Sequence, residues 1–278
     1  MTLHIMTDGS SDLPLALREA MGITVVPLGV RFGGEEFDSS MPADEFYARM
    51  RASQALPQTS SPAPYAFMDA YRAVPETDSI LVVALSSHLS STYQHALLAR
   101  EMLQEERSGE TRIEVIDSKT ASMGLGGIVY KAAKLAKAGA GLQDATDAVK
   151  RLVRETRTHF VLDTLENVIK GGRLDRVRGA VASMLNIKLL MHASEEGAVE
   201  VLEKTRGTAN AVKRMIERID DGPRGRQLLS VAHSNCEERA LSLVVDIQAR
   251  FGFEEVVVSD MGPVIGAYAG EGGLLISY

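Results

Sequence analysis

The stretch Ile80-Leu81-Val82-Val83-Ala84-Leu85-Ser86-Ser87-His88-Leu89-Ser90-Ser91-Thr92-Tyr93 decides the fold. Its first six residues form an unbroken apolar run, the pattern of a strand buried on both faces. From Tyr93 to Glu105 the spacing predicts a helix. Three hydroxyls, those of Ser90, Ser91 and Thr92, therefore gather where a strand gives way to a helix. The first N–H groups of a helix lack partners within it, and the helix dipole adds partial positive charge there. Hydroxyls and free amides together make a place for an anion, although Ser and Thr at a helix start also serve purely as caps. No lysine follows at the spacing of a triphosphate-binding loop, so a small anion such as a carboxylate fits better.

Outward from this stretch, short apolar runs alternate with helical spacing. Strands are predicted at Leu3 to Thr7, Ile23 to Phe32, Ile80 to Leu85 and Ile113 to Ile116, and helices at Pro14 to Met21, Pro42 to Met50, Tyr65 to Ala73, Ala121 to Ala138 and Leu142 to Glu155. Pro57 to Pro64 reads as a Pro- and Ser-rich loop. The alternation argues for an α/β protein with a mostly parallel sheet covered on both faces. Sites in such sheets collect at the C-terminal ends of strands. Asp8-Gly9-Ser10, Ser86-Ser87 and Asp117-Ser118 all fall at such ends.

The second half changes character. Strands are expected at Phe160 to Leu162, Ile187 to His192, Ala198 to Lys204, Leu228 to His233, Val256 to Ser259 and Leu274 to Ser277, with a turn around Glu195-Glu196-Gly197. Helices are expected at Thr164 to Lys170, Arg178 to Leu185, Thr208 to Ile219 and Cys236 to Arg250. The reading is two α/β domains, residues 1–157 and 158–278, packed closely because no Gly- or Pro-rich linker joins them.

A chain of 278 residues has room for a sizeable core, and its 45% apolar and 24% charged residues suit a soluble globular protein. The net charge of −7, with scattered Lys and Arg, argues against a nucleic-acid partner. A single cysteine rules out an internal disulfide and fits a cytoplasmic location. The start Met1-Thr2-Leu3-His4-Ile5 lacks a signal-peptide pattern. No apolar run approaches the length of a transmembrane segment.

Gln58-Thr59-Ser60-Ser61-Pro62 is a second hydroxyl cluster; it can cap the following helix, or converge with Ser90-Ser91-Thr92 on a carboxylate. A serine hydrolase would need a base and an orienting acid around its serine; the G-x-S-x-G elbow is absent, and His88 and His95 read as bystanders. Those two histidines, seven residues apart, would stand about 10 Å apart on a helix, too far for one zinc; no metal site and no cofactor is expected. Cys236 sits at a helix start beside good caps and reads as structural. Arg173, after Gly171-Gly172, is a helix stop or an anion contact. The glycine-dense Gly266 to Gly273 places Tyr268 where one hydroxyl can reach a site, without the strand–turn–helix context of a dinucleotide fingerprint.

At these residues the chain resembles the DegV family, whose members include fatty-acid-binding subunits of bacterial fatty acid kinase. The resemblance runs in order through Thr7-Asp8-Gly9-Ser10-Ser11-Asp12-Leu13-Pro14, Val26-Pro27-Leu28, Thr59-Ser60-Ser61-Pro62, Ser87-His88-Leu89-Ser90-Ser91-Thr92-Tyr93-Gln94, Asp117-Ser118, Ser122-Met123-Gly124, Leu165 and Lys170-Gly171-Gly172-Arg173-Leu174. It implies a two-domain DegV-like fold with a long-chain fatty acid buried between the domains, and a lipid-binding subunit that is not itself an enzyme. It implies a carboxylate held by hydroxyls matching Thr59 and the Ser90-Ser91-Thr92 loop, with Ser60, Arg173 and Tyr268 alongside. A separate ATP-dependent kinase would then make acyl-phosphate for phospholipid synthesis, with the residue matching Arg206 on its docking face. Two departures stand out. Ser91 replaces a family Gly, and Tyr268 replaces a family His, with Glu271 in place of a nearby proline. A phenol donates a hydrogen bond but carries no positive charge near neutral pH. The alternatives are a lipid-responsive regulatory module without a kinase partner, or an esterase.

Overall fold

The computed structural model describes residues 2–53, 55–107, 112–174, 186–219 and 225–278. The first half runs β1 (Leu3–Asp8), α1 (Leu15–Met21), β2 (Thr24–Val26), β3 (Gly29–Phe32), β4 (Glu35–Asp38), α2 (Ala43–Ala52), β5 (Gln58–Ser60), α3 (Pro64–Arg72), β6 (Ser79–Ala84), α4 (Thr92–Arg107), β7 (Ile113–Asp117), α5 (Met123–Lys137) and α6 (Leu142–Glu155). Strands β2-β1-β6-β7 form a four-stranded sheet, every pairing parallel. All six residues of β6 are buried, as the continuous apolar run required.

The second half runs β8 (Thr158–Val161), α7 (Glu166–Lys170), β9 (Ile187–Ala193), β10 (Val199–Arg206), α8 (Thr208–Glu217), β11 (Leu228–His233), α9 (Glu237–Phe251), β12 (Glu255–Asp260), α10 (Pro263–Ala269) and β13 (Leu274–Ser277). These strands make a six-stranded sheet, β10-β9-β8-β13-β11-β12, antiparallel except for β11 with β12. The chain is thus an α/β protein with a parallel-sheet domain and a second sheet domain. The helix expected at Arg178 to Leu185 lies outside the described residues.

Three expectations need correction. Ile23 to Phe32 is two strands, because Pro27 offers no N–H to a ladder and the chain turns there into a separate sheet. Pro57 to Pro64 holds β5, which pairs antiparallel with β3 in a three-stranded sheet, β4-β3-β5. Its hydroxyls hid the strand: Gln58-Thr59-Ser60 has no apolar alternation, and only pairing with Gly29, Val30 and Arg31 makes it extended. The Gly266 to Gly273 stretch begins inside α10, whose Pro263 fits the first helical turn.

Helix α5 joins the sheets. Its residues from Met123 to Tyr130 are all buried, and it contacts β1 on one side and β11 and β13 on the other. Loops at the strand ends complete the joint. Asp12, held at φ 51°, accepts the Ser122 hydroxyl at 2.6 Å and the Gly262 N–H at 2.9 Å. The Ser259 hydroxyl donates to the Asp12 carbonyl at 2.6 Å. Burial pushes the Asp12 carboxyl up to about 7, against the lowering effect of the Ser122 and Gly262 hydrogen bonds, with Asp260 and Asp8 adding to the rise. On the other side, the β9–β10 turn seats on the parallel sheet. The Ser86 hydroxyl donates to the Gly197 carbonyl at 2.8 Å. Gly197 has φ +88°, and a Cβ there would lie 2.8 Å from Lys119 Cα, so only glycine fits.

Candidate functional site

Between the two main sheets lies a cavity of about 220 Å³. The period of a strand explains one wall. Thr158, Phe160 and Leu162 alternate onto the cavity face of β8 and the residue that follows it. They line it over about 13 Å at roughly 3.3 Å per residue. Leu85, Val168, Val264 and Leu275 add apolar surface from four other segments.

One end is polar. Thr59, Ser60, Ser61, Ser90, Ser91, Arg173 and Tyr268 meet there, brought by β5, the β6–α4 loop, the turn after α7, and α10. Tyr268 and Thr59 share a hydrogen bond of 2.7 Å between hydroxyls. Ser61 is 2.8 Å from Ser90 and accepts from Ser91 at 2.9 Å. A ring nitrogen of His95 lies 2.7 Å from the Pro62 carbonyl, which ties the β5 loop to α4. Hydroxyl hydrogens rotate, so such a cluster can turn donors toward an acceptor placed among them.

Arg173 is the single charged residue among the described residues lining the cavity. Its guanidinium carbon sits 4.9 Å from the centre of the Tyr268 ring, in cation–π range. It also donates to the Leu89 carbonyl at 3.2 Å and the Gly171 carbonyl at 2.6 Å. Gly171 is required by close approach: a Cβ there would stand 2.5 Å and 2.6 Å from two Tyr268 ring carbons. The ring is thus packed against Gly171 and under the guanidinium, with its hydroxyl on Thr59. A hydroxyl-rich end with one cation suits a small monoanion.

The remaining sequence candidates fall elsewhere. Thr92 is fully buried behind the cluster, 2.9 Å from Ser90 between hydroxyls, and does not line the cavity. Arg206 is exposed at the end of β10, in a separate groove shared with Asn210, Lys213 and Arg214. Ser61, also at this end, directly follows β5, and its place beside Pro62, which stops the strand, is the signal in the sequence that marks it. Phe160 and Val168 carried no functional signal, since apolar wall residues look like core. The Cys236 thiol donates to the Gly273 carbonyl at 3.4 Å, and burial pushes its pKa up, so it is no activated nucleophile. Among the described residues no cluster of three or more metal-ligating side chains occurs, and no helix is long and apolar enough to cross a membrane.

Fold and site define an α/β protein with two main sheets and a largely apolar cavity where, among the described residues, hydroxyls meet one guanidinium. The chain belongs to the DegV family: the model of that family, described as an uncharacterised protein family, matches residues 2–278. A DegV domain-containing protein of Halalkalibacterium halodurans is 32% identical over 284 residues, covering 99% of this chain and 98% of the relative. The crystal structure of a DegV family protein from Ruminococcus gnavus, refined with vaccenic acid, has a TM-score of 0.92 at 30% identity and full coverage of both chains. The Streptococcus pneumoniae fatty acid kinase (Fak) B3 protein, loaded with linoleic acid, has a TM-score of 0.88 at 26% identity, covering 100% of this chain and 99% of that one.

Proposed function

We propose that this protein binds a long-chain fatty acid between its sheets, with the carboxylate among Thr59, Ser60, Ser90, Ser91, Tyr268 and Arg173. The observation that carries this reading is the lining: mostly apolar walls and, among the described residues, one cation with a cluster of hydroxyls around it. Relatives solved with vaccenic and linoleic acid support it. Burial of the tail supplies most of the affinity, at about 0.8 kcal/mol per methylene. The polar end orients the chain and selects acids over alcohols. Thr92 acts one step back, by fixing Ser90.

The protein is a binding subunit without chemistry of its own, acting in the cytoplasm. It presents the carboxylate to an ATP-dependent kinase that forms acyl-phosphate for phospholipid synthesis. The likeness to a fatty acid kinase B protein supports that partner. Arg206 belongs to its docking face, where exposed charge surrounds it. The division into residues 1–157 and 158–278 places the hydroxyl loops of β5 and α4 in the first domain and Arg173 and Tyr268 in the second.

Protein purified from a bacterial host, extracted and analysed by mass spectrometry, should release a stoichiometric acyl chain. Protein that carries none, and binds none in titration after delipidation, refutes the reading. Thr59→Val with Ser90→Ala should weaken fatty acid binding and leave folding intact. Unchanged affinity would move the head group elsewhere.

A further inference from the structure

A groove of about 600 Å³ runs along the seam between the two halves of the chain. That is the usual size of a small-molecule site, about 300–1,000 Å³. One wall is α6 with the loop after β7; the other is the start of β8 with the end of β9. The groove shares only Thr120, Thr158 and Ala193 with the apolar cavity, and its chemistry is different. Four full cations line it, Lys119, Lys150, Arg154 and Arg157, with His192 beside them, against the two carboxylates of Asp117 and Glu195. The whole chain carries a net charge of −7, so this local excess of positive charge runs against the average.

The carboxylates leave most of that charge open. Asp117 is already engaged: it accepts from the Ser87 and Lys119 N–H groups at 3.2 and 3.0 Å and pairs with the Lys119 ammonium at 3.0 Å. Glu195 sits on the exposed turn between β9 and β10. Lys150 and Arg154 are exposed, and among the described residues neither side chain makes an ion pair or hydrogen bond. They stand four residues apart on α6, hence on one face and about 6 Å apart along the axis. Arg157 is fixed where α6 ends. Its Nη1 donates to the carbonyls of Arg154, Glu155 and Thr156 at 2.8, 3.2 and 3.0 Å. Its backbone exchanges hydrogen bonds with Tyr278 at 2.9 and 3.1 Å. Its charge is therefore held in place before any ligand arrives.

We propose that this seam is a second binding site, one that takes the phosphate group of a small soluble anion such as a phosphate ester. Guanidinium forks meet phosphate oxygens in pairs, and an ammonium adds point charge. Arg157 supplies the preset contact, and Lys150 and Arg154 close on the ligand from α6. Thr120 and Thr158, 4% and 3% exposed, floor the groove. A compact solute can enter between its two walls, and a flat bilayer cannot. The site stands apart from the fatty-acid reading and needs no acyl chain.

The test is titration of pyrophosphate into the full chain by calorimetry. Wild type should bind it saturably at low ionic strength and more weakly as salt rises. Lys150→Glu with Arg154→Glu reverses two exposed charges, so the variant should fold and bind fatty acid as wild type does. Its affinity for pyrophosphate should fall about tenfold or more. Co-sedimentation with phosphatidylglycerol vesicles is the second arm. Vesicle binding that the double variant loses, with no pyrophosphate binding by wild type, overturns the soluble ligand in favour of a lipid headgroup. Wild type that binds neither probe, or a folded double variant that binds pyrophosphate as wild type does, overturns the site and leaves the fatty-acid reading intact.

Discussion

Arg173→Gln is the most direct perturbation of the head-group end. Glutamine keeps polarity and part of the length while removing the single charge that the described residues bring to the cavity. Two unit charges 4 Å apart interact by about 4 kcal/mol at an effective dielectric of 20. Arg173 is exposed, so water and salt screen much of that. Net contributions of hydrogen bonds to charged groups, about 1.5–3 kcal/mol, bound the rest. Taking the lower end, the acid should lose about tenfold in affinity. The matching fatty alcohol, which carries no charge, should change far less. Titration of acid and alcohol into wild type and variant, at low and high salt, isolates the charge. The wild-type preference for acid should shrink with salt, and that of the variant should not. Equal losses for acid and alcohol would refute the reasoning, because Arg173 would then act only through its packing on Tyr268. No loss for the acid would place the carboxylate elsewhere.

Gly171→Ala should drive the Tyr268 ring from its seat, since the new Cβ would meet ring carbons at 2.5–2.6 Å; overpacking of this kind costs about 1–3 kcal/mol, read as a lowered denaturation midpoint, with a weaker titration by fatty acid. Tyr268→Phe removes the 2.7 Å hydrogen bond to Thr59 and should cost about 1 kcal/mol of stability while keeping the ring under Arg173, which denaturant unfolding will measure. Gly197→Ala places a side chain at φ +88° and against Lys119 Cα at 2.8 Å, so it should destabilise by more than about 1 kcal/mol in urea unfolding. Asp12 gives a pH signature. Its carboxyl is pushed from an ordinary 3.8 to about 7, so between those values the folded chain holds a proton that the unfolded chain has released. Stability from this group is therefore full below about 4 and falls as pH rises through 7, by at most about 1.4 kcal/mol per pH unit. His159 is pushed down to about 4 by burial, then by His192, Arg218 and Arg157, and slopes the opposite way between 4 and 6.5. The difference between wild type and Asp12→Asn in chemical denaturation isolates the aspartate; parallel pH curves would contradict it.

The parallel half of the fold is legible because its strands are buried on both faces. Ile80–Leu85 is apolar throughout, and α6 shows a sharp amphipathic face, with Ala145, Thr146 and Val149 inward. What failed was local chemistry overridden by pairing. Gln58-Thr59-Ser60 has no strand pattern of its own, and its extended backbone comes from β3, whose partner residues lie nearly thirty positions earlier. The glycine-dense stretch gave no helical pattern for α10. Gly266 is instead demanded by packing: a Cβ there would stand 2.7 Å from the Tyr47 hydroxyl and 2.8 Å from the Phe46 ring.

The polar end of the site was legible for a related reason, and the apolar remainder was not. Hydroxyls clustered at chain junctions and a guanidinium after paired glycines are chemically distinctive, so Thr59, Ser90 and Arg173 stand out against plain alternatives even in one sequence. A wall residue needs no partner. Phe160 and Leu162 satisfy every rule for a core strand, and their alternation is identical whether the face they present meets another side chain or an acyl chain. Only the distance between two sheets separates those cases. That distance is set by the Asp12 hydrogen bonds, the packing of α5 and the seating of Gly197, contacts between residues as far apart as 250 positions in the chain. The hydroxyl cluster is therefore visible in the sequence, while the space between the layers is set by long-range contacts and can be read only from the folded chain.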